Sequence, residues 1–126
     1  MSFVQASTIS GAIIEKARWE VQSLSNVQAG DVMTVCLNSE DKNLLTHIRK
    51  QAKTECYLDK SDDGRSSIVA TFVVKQIRHM IDGQSFETMC IVTPASRHVE
   101  QIVLFLLDPE KCDRRFVEAV HGRRAG

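Results

Sequence analysis

The chain has 126 residues, of which 43% are hydrophobic and 25% are charged. This composition is typical of a soluble domain that buries a core without disulfides, and it predicts one globular domain over residues 1–126 with a frayed tail at 123–126. Lys and Arg number 16, as do Asp and Glu. The balanced charge excludes any strong overall attraction to nucleic acid or to an anionic membrane.

Three further features bear on the compartment. The first ten residues lack the basic and apolar regions of a signal peptide. The longest uninterrupted apolar run, Ile102–Leu107, has six residues, whereas a membrane-spanning helix needs about 20. None of the four cysteines lies in a CxxC pair. We therefore expect reduced thiols, a cytoplasmic location and no membrane contact.

The first predicted element is a helix within residues 9–31. Ile14, Ala17, Val21 and Leu24 recur at spacings of three and four residues, as on one face of a helix. The valine-rich segment 31–39 predicts a short buried strand. Segment 39–55 predicts a second helix, which Ser39 can cap and on which Leu44, Leu45, Ile48 and Ala52 form the apolar face.

Three strands are predicted in the middle of the chain. Segments 55–60 and 65–74 flank an Asp-rich turn, and the second of them extends toward Ile81 because its β-branched content favours a strand over a helix. Asp82-Gly83 is typical of a two-residue hairpin turn. That turn would place Arg78 opposite Glu87 on the next strand, at 85–92.

Two helices are predicted after the strands. Pro94 and Pro109 each follow a residue that can cap a helix, and proline is favoured at the first helical position. The sequence therefore predicts an α+β fold, with a small antiparallel sheet of about four strands forming a central meander packed against helices. The predicted order is α-β-α-β-β-β-α-α.

The Asp-rich turn has two other interpretations. Asp59, Ser61, Asp63 and Gly64 match the beginning of a calcium loop. The same stretch resembles the Asp-x-Ser-x-x-Gly element of PilZ domains, which bind cyclic dinucleotides. However, Ala70 stands where a calcium loop needs glutamate, and the only counterpart of the upstream arginine pair is Arg49 with Lys53. We therefore interpret the segment as a hairpin turn and expect no metal and no cofactor.

A basic face is predicted on the second helix. Lys42, Arg49, Lys50 and Lys53 align on one side of it. Positioned cations of this kind can contact phosphates, although a solvated helix face has the same composition. Arg97 adds a cation at the beginning of the helix after Pro94, where free N–H groups favour an anion.

Trp19 indicates a second type of surface. It lies nearly opposite the apolar stripe of the first predicted helix, and exposed tryptophans are enriched at interface hot spots. The neighbouring Glu15 and Gln22 complete the predicted partner-binding surface. The alternative is that another element covers both sides of this helix, so that Trp19 is buried.

No catalytic residues are predicted. The sequence contains no nucleophile elbow, phosphate loop or metal-ligand set, and Cys90 lies in an apolar strand pattern that indicates a core thiol. Enzymatic activity is the least favoured of three classes. We expect a regulatory or adaptor domain that acts through protein contacts, including self-association as a homodimer. The alternative is a nucleic-acid-binding module that uses the basic face of the helix at about 40–54.

Overall fold

A computed structural model describes residues 1–51, 53–60 and 64–122. The described residues form six strands, three α-helices and one short 3₁₀ helix. The strands are β1 Ser2–Ser7, β2 Ile13–Val21, β3 Val32–Asn38, β4 Cys56–Lys60, β5 Ser66–Asp82 and β6 Ser85–Pro94. The helices are α1 Lys42–Gln51, α2 Arg97–Leu107 and α3 Arg114–His121, with the 3₁₀ turn at Pro109–Lys111.

The strands form one mixed sheet in the order β2-β1-β6-β5-β3, and β4 pairs with β5 beside that path. β1 runs parallel to β6, whereas the other pairings are antiparallel. The predicted four-stranded antiparallel sheet is therefore wrong. The predicted element order is also wrong, because the chain begins with three strands and runs β-β-β-α-β-β-β-α-α.

The first predicted helix is a strand, β2, and a bulge explains the error. Gln5 of β1 pairs with Arg18, but Ser7 pairs with Ile13, so β2 has three more residues than β1 over the same stretch. Extra residues change which side chains of a strand face the core. Ile14 and Ala17 are thus both buried although they are three residues apart. A bulged strand has in this way produced the spacing of a helix.

The side chain of Gln5 stabilises this bulge. Its Nε2 group donates to the carbonyl oxygens of Ala6, Ile14 and Ala17 at 3.0, 2.8 and 3.2 Å. Gln5 is buried, and buried carbonyl groups need hydrogen-bond partners. One amide group therefore satisfies oxygens around the irregular part of the ladder.

The β5–β6 hairpin is confirmed, and so is the strand assignment of residues 66–81. The turn lies one residue later than predicted, which shifts the cross-strand register by two residues. Asp82 pairs with Ser85, so the loop is Gly83-Gln84, and Gly83 has a φ of +60°. Arg78 consequently lies opposite Met89, and Glu87 lies opposite Met80. The predicted Arg78–Glu87 pair is absent from this ladder.

The sheet is strongly curved. β2 and β5 are separated by β1 and β6, which in a flat sheet places them about 14 Å apart. The rings of Trp19 and Phe72 nevertheless meet edge to face, with their centroids 6.4 Å apart. Helix α2 is buried from Val99 to Leu104 and packs with the inner face of the sheet in one core.

The helix boundaries differ from the predictions near both prolines. β6 continues through Pro94, and the side chain of Ser96 caps α2 by accepting from the N–H of Val99 at 3.3 Å. Pro109 begins only a 3₁₀ turn, and Asp113 caps α3. The strand predicted at 31–39 is present as β3, but it lies at the end of the sheet, and alternate residues are exposed rather than buried.

Candidate functional site

The inner face of the sheet extends beyond the core toward the end of the β5–β6 hairpin. Strand pairing aligns Trp19, Val4, Cys90 and Ile77 in one row across β2, β1, β6 and β5. The next row on the same face contains Val21, Ser2, Thr88 and His79, and the last row contains Phe86 and Ile81. Burial decreases along these rows, from the fully buried Cys90 to the exposed Ile81.

We call residues 78–87 the hairpin tip. Ile81 is 78% exposed and Phe86 is 56% exposed, and the two residues are direct cross-strand partners. The ring of Phe86 also stacks on His79, with centroids 5.7 Å apart and planes inclined by 14°. The tip therefore presents an exposed apolar cluster on the face that packs the core farther down the strand. Contiguous exposed apolar surface commonly marks an interaction site.

A groove lies at the base of the hairpin tip. Its volume is about 570 Å³, and its walls include Leu24 and Val27 from the loop after β2 and Ile77, His79 and Thr88 from the hairpin. This volume falls within the range of about 300–1,000 Å³ that is typical of ligand sites. The groove is open, and its wall combines the apolar Leu24, Val27 and Ile77 with polar residues.

Among the described residues, no strand pairs with the outer edge of β5 along the tip. Val73 is the last β5 residue that pairs with β3, and Val74 exchanges backbone hydrogen bonds with Gly30 and Asp31. Beyond Val74, β5 pairs only with β6 in the described part of the chain. An unpaired strand edge of this kind can accept another strand.

The structure separates the three residues of the predicted partner surface. Trp19 is half-buried, and its ring packs against Phe72 in the core. Gln22 is exposed at the end of β2, next to the groove residue Ser23, whereas Glu15 is exposed in the bulged half of β2. Trp19 therefore borders the uncovered rows, and most of the apolar surface there belongs to Ile81 and Phe86.

The predicted basic residues lie on other elements. Lys42, Arg49 and Lys50 are exposed on α1, and Lys53 is exposed beyond it. Arg97 donates to a carboxylate oxygen of Asp113 at 2.9 Å. The carboxylate of Glu100 already occupies the first turn of α2, where it accepts from the backbone N–H of Ile9 at 2.6 Å. Nucleic-acid binding through α1 stays a prediction, and α2 offers little attraction to an anion.

A histidine pair lies between the helices. The rings of His47 and His98 are 5.8 Å apart, and both contact Phe116, at 5.2 and 6.1 Å. Nε2 of His98 is buried without a hydrogen-bond partner among the described residues. Burial lowers the pKa of both imidazoles, and Lys53 and His47 lower that of His98 further, with Glu55 opposing them. The cluster therefore favours neutral rings that pack together.

Three of the four cysteines belong to the core. Cys56, Cys90 and Cys112 are buried, whereas Cys36 is exposed on β3. Burial raises the pKa of Cys90, and it raises those of Cys56 and Cys112 to about 12 and about 11. Thiols of this kind are poor nucleophiles at neutral pH, so Cys90 is a structural residue.

No group of three or more His, Cys, Asp or Glu residues that could hold a metal ion occurs within residues 1–51, 53–60 and 64–122. Among the same residues, each helix is too short or too polar to span a bilayer. Asp59 and Gly64 of the predicted turn are described, whereas Ser61 and Asp63 lie outside the described residues. The predicted tail at 123–126 also lies outside them.

The hairpin tip was missed at the sequence level. The available signal was an apolar residue on each side of the Asp82-Gly83 turn, but only the observed register shows that Ile81 and Phe86 are direct cross-strand partners. Comparisons with known protein families, curated protein sequences and solved structures find no match to this chain.

Proposed function

We propose that this chain is a non-catalytic adaptor or regulatory domain that acts through protein–protein contacts, and that its contact surface is the hairpin tip. One observation carries the proposal. Ile81 and Phe86 are paired on the inner face of the sheet, yet they lie beyond the part of that face that the helices cover. Burying them against a partner would remove apolar surface from water, which stabilises the complex by about 25 cal/mol for each Å² buried.

The surroundings of the tip support a protein partner over a small molecule. The free edge of β5 supplies backbone donors and acceptors, which an extended chain can match by adding a strand. The groove beside His79 can receive a side chain from such a chain. Strand addition gives affinity through the main chain, and the groove gives specificity.

The proposal can be tested with three immobilised forms of the protein. The baits are the wild type, the double variant Ile81→Ser/Phe86→Ser, and Ile13→Ser, which removes an isoleucine that is 44% exposed on β2. Each bait is incubated with an extract of the native cells, and the retained proteins are identified by mass spectrometry. We expect partners that bind the wild type and the Ile13→Ser control and that are lost from the double variant.

Two outcomes would count against this function. Retention of the same partners by the tip variant would move the contact surface elsewhere. If the wild type retains no protein and also does not self-associate, the chain does not act through protein contacts. A parallel titration with a generic oligonucleotide tests the basic face of α1, where nucleic-acid binding should weaken steeply with salt.

A further inference from the structure

We infer that the partner of the free β5 edge is a second copy of this chain, which pairs antiparallel with residues 77–83 across a two-fold axis near Met80. The inference rests on the proposed function, because it names the partner of the same hairpin tip. It is carried by the geometry of the β5 edge and by the distribution of charge along that edge.

The first step is the direction of the backbone groups. Val74 directs its N–H and C=O toward the outer edge, where they bond to Asp31 and Gly30 at 2.8 Å each. The ladder with β6 gains one residue at Lys75, because Val74 pairs with Val92 and Gln76 pairs with Ile91. A bulge of one residue changes the alternation. Odd-numbered residues, beginning with Ile77, therefore direct their backbone groups to the free edge beyond the bulge.

The second step is charge complementarity. Lys75 and Arg78 make the first half of this edge cationic, whereas Asp82 makes the other end anionic, and Glu87 of β6 lies opposite Met80 between them. Two antiparallel copies place the cationic half of each strand beside the anionic half of the other. Opposite charges on facing strands stabilise pairing, and like charges oppose it. A parallel arrangement would instead place like charges together.

The third step is the register. A two-fold axis perpendicular to the sheet pairs odd-numbered residues with odd-numbered residues, and even with even. It therefore passes through one residue, which faces the same residue of the second copy. An axis at Arg78 would place two guanidinium groups opposite each other. An axis at Met80 places Arg78 opposite Asp82 of the second copy, and His79 opposite Ile81. The apolar faces of both tips then form one surface that includes both Phe86 rings.

The end strand β2 is less suited to this role. It lies at the end of the strand order opposite β3, and Glu15, Lys16, Arg18 and Glu20 are exposed along it. Closely spaced charges on an edge strand discourage association. The tip of β5 instead combines a few complementary charges with Ile81 and Met80, both of which are exposed.

Light scattering tests the inference through mass. The chain has a mass of 14.1 kDa, and we expect the mass to approach twice that value as concentration rises. Asp82→Arg and Arg78→Asp should each weaken the dimer by roughly tenfold, because two symmetry-related attractions become repulsions. The double swap Arg78→Asp/Asp82→Arg should restore most of the affinity, and the Ile13→Ser control should dimerise like the wild type.

A disulfide locates the two-fold axis. In a Cys36→Ser background, which removes the exposed native thiol, Met80→Cys should form an intermolecular disulfide under oxidised glutathione. Directly opposed residues in a sheet lie within the Cα distance that a disulfide allows, about 4.4–6.8 Å. Thr34→Cys on β3 in the same background is the control and should remain mostly reduced.

The possible results are distinct. A wild type that is monomeric at all concentrations overturns self-pairing, but tip-dependent retention of another protein would still support the proposed function. A dimer that survives Asp82→Arg, or that does not cross-link through position 80, overturns the strand pairing. A dimer that the double swap does not rescue overturns the charge matching.

Discussion

The covered and uncovered ends of the inner sheet face differ in burial but not in kind of residue. At the covered end, Phe72 and Val92 lie on β5 and β6 with no exposed surface, and α2 packs within the same core. At the uncovered end, Ile81 and Phe86 lie on the same strands and the same face, but most of their surface is exposed. This difference in cover underlies our proposal that one end serves folding and the other serves recognition.

The largest expected effect compares one phenylalanine from each end. Phe72→Ala should lower the free energy of unfolding by about 3–5 kcal/mol, because it removes a fully buried ring and leaves a cavity. Phe86→Ala should change the stability of dilute protein by no more than about 0.5 kcal/mol while it weakens association. Urea unfolding of both variants measures the difference. Equal losses would mean that the tip is part of the folding core.

The second comparison concerns a buried amide. Gln5→Met keeps the length of the side chain but removes the donors to the carbonyl oxygens of Ile14 and Ala17. Unsatisfied buried acceptors cost about 1–3 kcal/mol, so urea unfolding should show a loss of that size. Gln22→Met changes an exposed glutamine beside the groove and should have little effect on stability. A neutral Gln5→Met would contradict the role assigned to the bulge.

The third comparison concerns the pH dependence of stability that arises from the histidine pair His47 and His98. The pKa values of His47 and His98 are lowered below 6.5 in the folded state, so the unfolded chain binds more protons between the two values. Stability is therefore complete above about pH 6.5 and falls as the pH drops toward the folded-state pKa values. Urea unfolding from pH 8 to pH 5 should show this fall. The double variant His47→Gln/His98→Gln should show a smaller fall, and an unchanged slope would exclude the pair as its source.

The smallest expected effect concerns the accessibility of the cysteine thiols to a reagent. One cysteine, Cys36, is exposed, and the other three are buried with raised pKa values. Iodoacetamide at neutral pH should therefore modify Cys36 in the native protein and all four cysteines after denaturation. Peptide mapping distinguishes the sites. Rapid native modification of Cys90 would show that the covered end opens readily.

The sequence predicted the second half of the fold better than the first. Strands β4 to β6 and helix α1 were predicted because their patterns are regular and local. The first thirty residues were wrong because a bulge gave β2 the periodicity of a helix, and the compensating bond from Gln5 spans nine residues. The parallel pairing of β1 with β6 joins residues more than eighty positions apart, which no local pattern reveals.

The candidate site was only partly predictable for a similar reason. Trp19 was predicted to lie opposite the apolar stripe of a helix, whereas it lies on β2, and its contact with Phe72 depends on the curvature of the sheet. The hairpin turn was recognised, yet a register shift of two residues makes Ile81, and not His79, the direct cross-strand partner of Phe86. Whether a strand residue is buried depends on where the helices lie. The sequence places Ile81 and Phe86 in strands, but it does not show what packs on them.

The exchange of backbone amide hydrogens along β5, followed by NMR at two concentrations, tests the difference between the two ends most directly. In dilute protein, the amides of Ile77, His79 and Ile81 should exchange quickly because they face the free edge, whereas those of Ile68 to Val74 should be protected. At high concentration, the same three amides should become protected while the covered end is unchanged. Protection of the three amides in dilute protein, or exchange that does not depend on concentration, would contradict the account.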